Sequence, residues 1–354
     1  MIHVVKKDSP KTRDTIIIRL LAILGALLAA SIIVIFAGAN PIELYIGIIE
    51  GCFGNLYRFA ATIQKMVPLL VLSLGVMVAF KMKFWNIGAE GQFLMGAVGA
   101  ALVVRYLPNL PLPVMIFAMG VLAFVFGAIW LLIPAFFKAK FGTNETLFTL
   151  MMNYIALNLV VALQYDFWKD PGASGMPKIA NFPDNALLPS VSGFNLSIAF
   201  AIILVILIYF LMNYSKIGFE ITVLGESENT ARYIGINITK TIITAALISG
   251  GLCGLVGMFQ TAGISGALSV EITGGLGFTA IIVAWLSGLK VPFIVLNSFA
   301  FAVLLQGGSY IQTAFQIPGS VAEMIQAIIL FFILGSEFAL HYRFISDKKK
   351  REVA

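Results

Sequence analysis

The chain has 354 residues, of which 60% are hydrophobic and only 11% charged, with a formal net charge of +6. A soluble domain carries roughly 25% charged residues, so this chain cannot cover a globule with a wetted surface. An ordinary soluble enzyme, a disordered protein and a nucleic-acid-binding domain are excluded, and long apolar runs without alternation exclude an outer-membrane barrel.

The remaining class is all-α: a polytopic helical membrane protein embedded in the lipid bilayer. A helix needs roughly 20 apolar residues to cross the hydrocarbon core. Segments of this kind lie at about 16–37, 62–80, 91–106, 113–136, 146–165, 196–212, 241–261, 278–289, 292–312 and 321–340, which makes about ten transmembrane helices. The third and eighth are short, so they are expected to be tilted, broken or partly re-entrant. The transmembrane domain spans 16–341, between a tail at 1–15 and a basic tail at 342–354.

The first span is expected to stay uncleaved, because its apolar run of roughly 20 residues is longer than a signal-peptide core. Asn40-Pro41-Ile42-Glu43 then reads as a helix start, with Asn as N-cap and Pro at the first helical position. The helix it opens is too short to span and is placed at the outer interface.

After the second span comes the first Gly-rich interruption, Phe84-Trp85-Asn86-Ile87-Gly88-Ala89-Glu90-Gly91-Gln92. Phe84 and Trp85 offer flat faces, and Asn86, Glu90 and Gln92 offer donors and acceptors to a polar solute. Asn86 as a helix cap and Glu90 in a first helical turn are the competing structural readings. A similar patch follows Lys138 and Lys140, where Asn144 or Thr143 caps a helix and Glu145 sits in its first turn. That helix carries Asn153, a polar group inside a span, which serves either as interhelical glue or as a solute ligand.

The stretch at about 168–193 carries Pro171, Gly172, Gly175, Pro177, Pro183 and Pro189 and is expected to be an external loop without regular helix. The stretch at about 214–240 is the most polar internal segment. Asn229 to Ile234 is expected to form a short helix closed by Gly235, suited to docking a soluble subunit or to solvation as an ordinary loop. The second Gly-rich interruption runs from Gly263 through Gly266, Glu271, Gly274 and Gly275 to Gly277-Phe278-Thr279. It lies about half a chain length after the first. Paired interruptions are a pointer to a transporter's substrate path.

If the N-terminus is cytoplasmic, about 18 of the 23 Lys and Arg fall inside, and Arg58, Lys65, Arg105, Lys169 and Lys178 fall outside. Both termini are therefore expected in the cytoplasm of a cell-membrane protein. The basic excess reports orientation and not a nucleic-acid partner. Two cysteines, Cys52 and Cys253, and two histidines, His3 and His341, give no metal site, no catalytic residue and no cofactor. No GxxxxGK[ST], HExxH or GxSxG motif is present, so any energy comes from an ion gradient or from another chain.

Four motifs together carry a resemblance. Phe84-Trp85-Asn86-Ile87-Gly88-Ala89-Glu90-Gly91-Gln92 resembles the FNIGAEGQ signature of nucleoside-type ABC importer permeases. Asn144-Glu145-Thr146-Leu147 with Leu150-Met151-Met152-Asn153-Tyr154 and Gly277-Phe278-Thr279-Ala280-Ile281 are similar to the same branch. Gly218–Gly225 and Ala231-Arg232-Tyr233-Ile234-Gly235-Ile236-Asn237 resemble the coupling loop of the wider branched-chain amino acid, ribose and simple-sugar group. Thr222 stands where Arg is usual, and Glu226-Ser227-Glu228-Asn229 where Leu-Asn-Pro-Glu is usual.

The resemblance implies a permease subunit, not an enzyme, that forms the path for a nucleoside or similar small polar solute. Cytoplasmic ABC ATPase subunits would dock at Gly218, Glu220, Gly225, Ala231, Arg232, Gly235 and Asn237. A second permease, identical or related, and an extracellular solute-binding lipoprotein or periplasmic solute-binding protein would complete the importer. Phe84, Trp85, Asn86, Glu90, Gln92, Asn144, Glu145, Asn153 and Phe278 are the candidates for the substrate path. Riboflavin or a simple sugar remains an alternative substrate. An ion-coupled secondary transporter is the competing class, with Glu90, Glu145 and Glu271 as its only candidate ion ligands near spans.

Overall fold

The computed structural model describes residues 2–6, 12–173 and 175–346. Among them the chain forms thirteen helices: α1 (Thr12–Phe36), α2 (Pro41–Phe53), α3 (Leu56–Lys81), α4 (Ala89–Tyr106), α5 (Leu112–Phe141), α6 (Glu145–Ala162), α7 (Ser197–Tyr214), α8 (Lys216–Glu226), α9 (Glu228–Tyr233), α10 (Ile238–Gln260), α11 (Leu276–Leu286), α12 (Val291–Ala314) and α13 (Gly319–His341). Four short strands accompany them. β1 (Ile2–Lys6) pairs antiparallel with β4 (Tyr342–Ser346), and β2 (Ser190–Val191) pairs antiparallel with β3 (Phe194–Asn195). The basic run expected at 348–351 lies outside the described residues.

Each of the ten apolar segments expected as crossings is a helix. Seven helices among the described residues are long and apolar enough to cross a membrane, or eight if α1 and α2, bent by 110° at their junction, count as one span. The segments that fall short have physical reasons. α11 has 11 residues, about 16 Å at 1.5 Å per residue, roughly half the hydrocarbon thickness. α4 has 18 residues, but Glu90 and Gln92 stand in its first turn.

The chain divides into two compact units, Met1–Phe59 with Val303–Ala354, and Ala60–Ala302. In the first, Ala26, Ala30 and Val34 of α1 share a core with Leu44 of α2, Ile311 of α12, and Ala322, Ile325 and Ile329 of α13. α2 begins as expected: Asn40 Oδ1 accepts from Ile42 N at 3.0 Å, with Pro41 at the first helical position.

The second unit is built on α4, α5 and α10. Glycines let these three backbones touch. A Cβ on Gly96 would lie 2.0 Å from the Gly254 carbonyl oxygen, and one on Gly127 would lie 2.4 Å from that of Gly250. In lipid, where no hydrophobic force separates helix from solvent, such small-residue contacts supply the packing. α4 is the helix enclosed by this arrangement: all but three of its 18 residues are buried.

The stretch at 168–193 has no regular helix beyond one short turn, as expected, but it is tied down. It docks on the end of α10, which widens into a π-helical turn over Thr261–Ser265 and stops at Gly266, φ 66°. Phe182 N donates to Gly266 O at 2.7 Å and Leu188 N to Ala262 O at 2.8 Å. Asn195 Nδ2 donates to Gly263 O at 2.9 Å.

Candidate functional site

The first interruption starts where α3 ends. Lys83 takes φ 58°, the left-handed region, and turns the chain back toward the interior. Phe84 to Gly88 then run without helix until α4 begins at Ala89. Non-helical backbone at membrane depth is stable only if its polar groups find partners. Here the interruption's own side chains supply part of them. Asn86, fully buried, and Gln92 form a reciprocal amide pair: Asn86 Nδ2 donates to Gln92 Oε1 at 3.1 Å, and Gln92 Nε2 donates to Asn86 Oδ1 at 2.8 Å. Asn86 Oδ1 also accepts from Gly88 N at 2.9 Å. Asn86 is thus a turn former two residues ahead of the helix cap, Gly88, and not the cap itself.

α6 closes the other side. Asn153 Oδ1 accepts from Gly91 N at 2.8 Å, and its Nδ2 donates to Ile87 O at 2.9 Å. Thr149 Oγ1 accepts from Ile87 N at 3.2 Å. One side chain of α6 therefore satisfies a donor and an acceptor of the broken backbone. α6 itself is capped by Asn144, which accepts from Leu147 N at 3.2 Å. Glu145 is buried and ion-paired to Lys138 at the end of α5, 2.8 Å apart.

Glu90 reaches the second interruption. Its Oε1 accepts from Gly275 N at 3.1 Å and its Oε2 from Gly277 N at 2.6 Å. Gly274 and Gly275 hold φ 52° and 74°, which brings the chain round into α11. A Cβ on Gly277 would stand 2.5 Å from Glu90 N, so the starts of α4 and α11 are in direct contact. The two interruptions are thus joined through one carboxylate.

α11 presents Phe278 and Trp285 on one face, seven residues apart, and they are 44% and 50% exposed. Trp285 stacks on Trp85 with ring centroids 5.3 Å apart and planes 13° apart, and Phe80 meets both edge-on. Phe84, in contrast, is buried. It lines a cleft of about 230 Å³ with Met82, Lys83, Lys138, Leu224 and Glu228.

That cleft belongs to the polar segment at 214–240. The Gly218–Gly225 stretch is a helix, α8, capped by Ser215, whose Oγ accepts from Gly218 N at 3.1 Å. Gly218 and Gly225 are close-approach positions. A Cβ on Gly225 would fall 1.8 Å from Lys81 O, at the end of α3. Glu220 accepts from Thr241 Oγ1 at 3.4 Å, which ties α8 to α10. Ser227 caps α9, Gly235 at φ 81° ends the turn behind it, and Asn237 caps α10 by accepting from Lys240 N. Ala231 is buried, and Arg232 pairs with Glu228 at 2.9 Å.

Most sequence-selected residues here therefore build the segment. Among the large apolar side chains it leaves outward are Phe219, Tyr233 and Ile234, 58%, 92% and 49% exposed. The motifs contained these residues but did not single them out, and they passed over Trp285, Thr149 and Ser249, whose Oγ accepts from Asn86 Nδ2 at 3.4 Å. Trp285 had a legible signal in its seven-residue spacing from Phe278 on a helical segment. Thr149 and Ser249 had none, because each acts on a partner distant in sequence.

A groove of about 630 Å³ between α5, α7 and α10 is lined by apolar side chains such as Phe117, Phe124, Phe200 and Met258. It offers nothing to a polar solute.

The family model for the branched-chain amino acid transport system permease component matches residues 58–334. The guanosine ABC transporter permease NupP of Bacillus subtilis is 30% identical over 359 residues, covering 97% of this chain and 99% of that one. The glucose ABC transporter permease TsgB13 of Haloferax volcanii is 30% identical over 339 residues, covering 91% and 88%. The nucleoside ABC transporter permease NupB of Lactococcus lactis subsp. cremoris is 29% identical over 334 residues, covering 91% of each. Matches of this extent include both interruptions and the α8–α9 segment, and they assign the family: the chain belongs to the permease components of the branched-chain amino acid transport system type.

Proposed function

We propose that this chain forms the translocation path of an ABC importer for a nucleoside or another small, uncharged polar solute. The observation that carries the reading is the junction of two half-chain interruptions at Glu90, in the interior of a membrane protein. Relatives of similar length named for guanosine and nucleoside transport support the solute class. A relative named for glucose, at equal identity, supports a sugar as the second reading.

ATP hydrolysis belongs to separate cytoplasmic subunits, which dock on α8 and α9. Phe219, Tyr233 and Ile234 are the apolar contacts such a subunit would cover. Gly225 seats α8 on the end of α3, and Lys83 donates to Glu226 O at 3.4 Å, so motion of α8 reaches the first interruption directly. A second permease and an external solute-binding protein complete the assembly. The chain crosses the cell membrane ten times with both termini inside, α4 and α11 crossing only with their flanking irregular segments.

The ion-coupled alternative loses its ligands in this arrangement. Glu90 is held by backbone amides and Glu145 by Lys138. Glu271 is exposed.

The test is purification of the tagged chain from its native cells in mild detergent, followed by uptake in liposomes. The expected result is a co-purifying ATPase with a phosphate-binding loop, and ATP-dependent uptake of labelled guanosine that unlabelled nucleosides inhibit. Uptake driven by an ion gradient by the chain alone would overturn the reading. Inhibition by glucose and not by nucleosides would select the sugar.

A further inference from the structure

Two helices begin at one point in this protein. α4 starts at Ala89 and α11 at Leu276, and a Cβ at Gly277 would meet the Glu90 backbone nitrogen at 2.5 Å. Each helix N-terminus carries roughly half a positive elementary charge from its unsatisfied amides. Two such ends in contact repel each other, and the amides buried between them need acceptors. Glu90 is the anion between them. It lies in the first turn of α4 and accepts from Gly275 N and Gly277 N at the start of α11. Thr273, itself buried, faces the same carboxylate. No Lys or Arg is ion-paired with it among the described residues. The two helix ends are its counter-charge.

We propose that Glu90 is a positioning residue that locks the two broken segments into one moving unit by neutralising both helix N-termini at once. This rests on the transport reading only for its kinetic consequence. With the carboxylate in place, α11 and its Phe278–Trp285 face follow any displacement of the first interruption, which α8 adjoins through Lys81. Without it, α11 is free to lag. The role also explains why a buried carboxylate stands among residues that otherwise use neutral amides: an amide side chain offers one acceptor and a competing donor, and no charge.

The test uses amide hydrogen exchange on the purified full chain in detergent, which needs no solute and stands apart from the uptake assay. Glu90→Gln is expected to accelerate exchange about tenfold in the peptide covering residues 273–278, with peptides of α5 and α10 unchanged. Glu90→Asp is expected to fall between Gln and the parent. In Glu90→Ala, formate should restore protection to this peptide, and neutral formamide should not. Parent-like exchange in Glu90→Gln, or equal rescue by formamide, overturns the proposal. In the assembled transporter, Glu90→Gln is expected to lower maximal uptake about tenfold with KM within about twofold. A change confined to KM would place Glu90 on the solute and overturn the positioning role.

Discussion

Asn86, Gln92 and Asn153 are the polar side chains that a solute would most plausibly use, and in the structure each is engaged with backbone or with another amide. Asn86→Ala removes the reciprocal partner of Gln92 and the acceptor for Gly88 N. A buried donor left unpaired costs about 1–3 kcal/mol, so the thermal midpoint should fall while solute KM stays near that of the parent. Asn153→Ala should act in the same direction, since it exposes Gly91 N and Ile87 O together. A KM change with an unaltered midpoint in either variant would return that residue to the solute path. The chemistry of these residues was legible in the sequence, because amides and a carboxylate at an interruption have few uses. Their partners were not: Asn153 acts on residues 62 and 66 positions away, and Glu90 on residues 185 and 187 positions away. Only folding brings such pairs together.

At the scale of elements, α8 and α9 show the two ways a helix is specified. α9 is short and announces itself, with Ser227 at its cap and Gly235 past its end. α8 does not. Its sequence, Lys216-Ile217-Gly218-Phe219-Glu220-Ile221-Thr222-Val223-Leu224-Gly225-Glu226, holds four β-branched residues and Gly218 and Gly225, all poor helix formers. Tertiary contact overrides propensity there, because those glycines let α8 lie against backbone: Gly218 on Leu211 O and Gly225 on Lys81 O. Gly225→Val should therefore displace α8 from α3 and abolish ATP-dependent uptake. The packing of α4, α5 and α10 should survive, as judged by unchanged exchange in those helices. Tyr233→Ala should do the opposite. At 92% exposure it supports nothing within the chain, so stability should hold within about 0.5 kcal/mol while recovery of the ATPase in pull-down falls. Full ATPase recovery with Tyr233→Ala would move the docking surface elsewhere.

For the whole molecule, length and apolarity would undercount the ten crossings proposed above, because a segment shielded by protein does not need to be long or uniformly apolar. α4 carries Glu90 and Gln92 at no cost to its burial, since Gly275, Gly277 and Asn86 satisfy them. α11 is about half as long as the hydrocarbon is thick, so as a crossing it would need the irregular stretch before it. The sequence marked both as short, and the paired interruptions gave the reason, but length and apolarity count them out. The number of crossings then has a parity that a labelling experiment reads. Lys178, in the 168–193 loop, is exposed, and Cys52 and Cys253 are buried, so a cysteine at 178 can be labelled selectively. With ten crossings, five lie before residue 178 and five after it, and tags on both termini lie opposite the loop. With the seven helices that pass by length and apolarity, the N-terminal tag lies opposite and the C-terminal tag on the same side. With eight, both tags share the loop's side. Lys178→Cys in intact cells should react with an impermeant maleimide while both terminal tags resist external protease. Cleavage of the C-terminal tag from outside would remove α11 as a crossing, and cleavage of both would remove α4 as well.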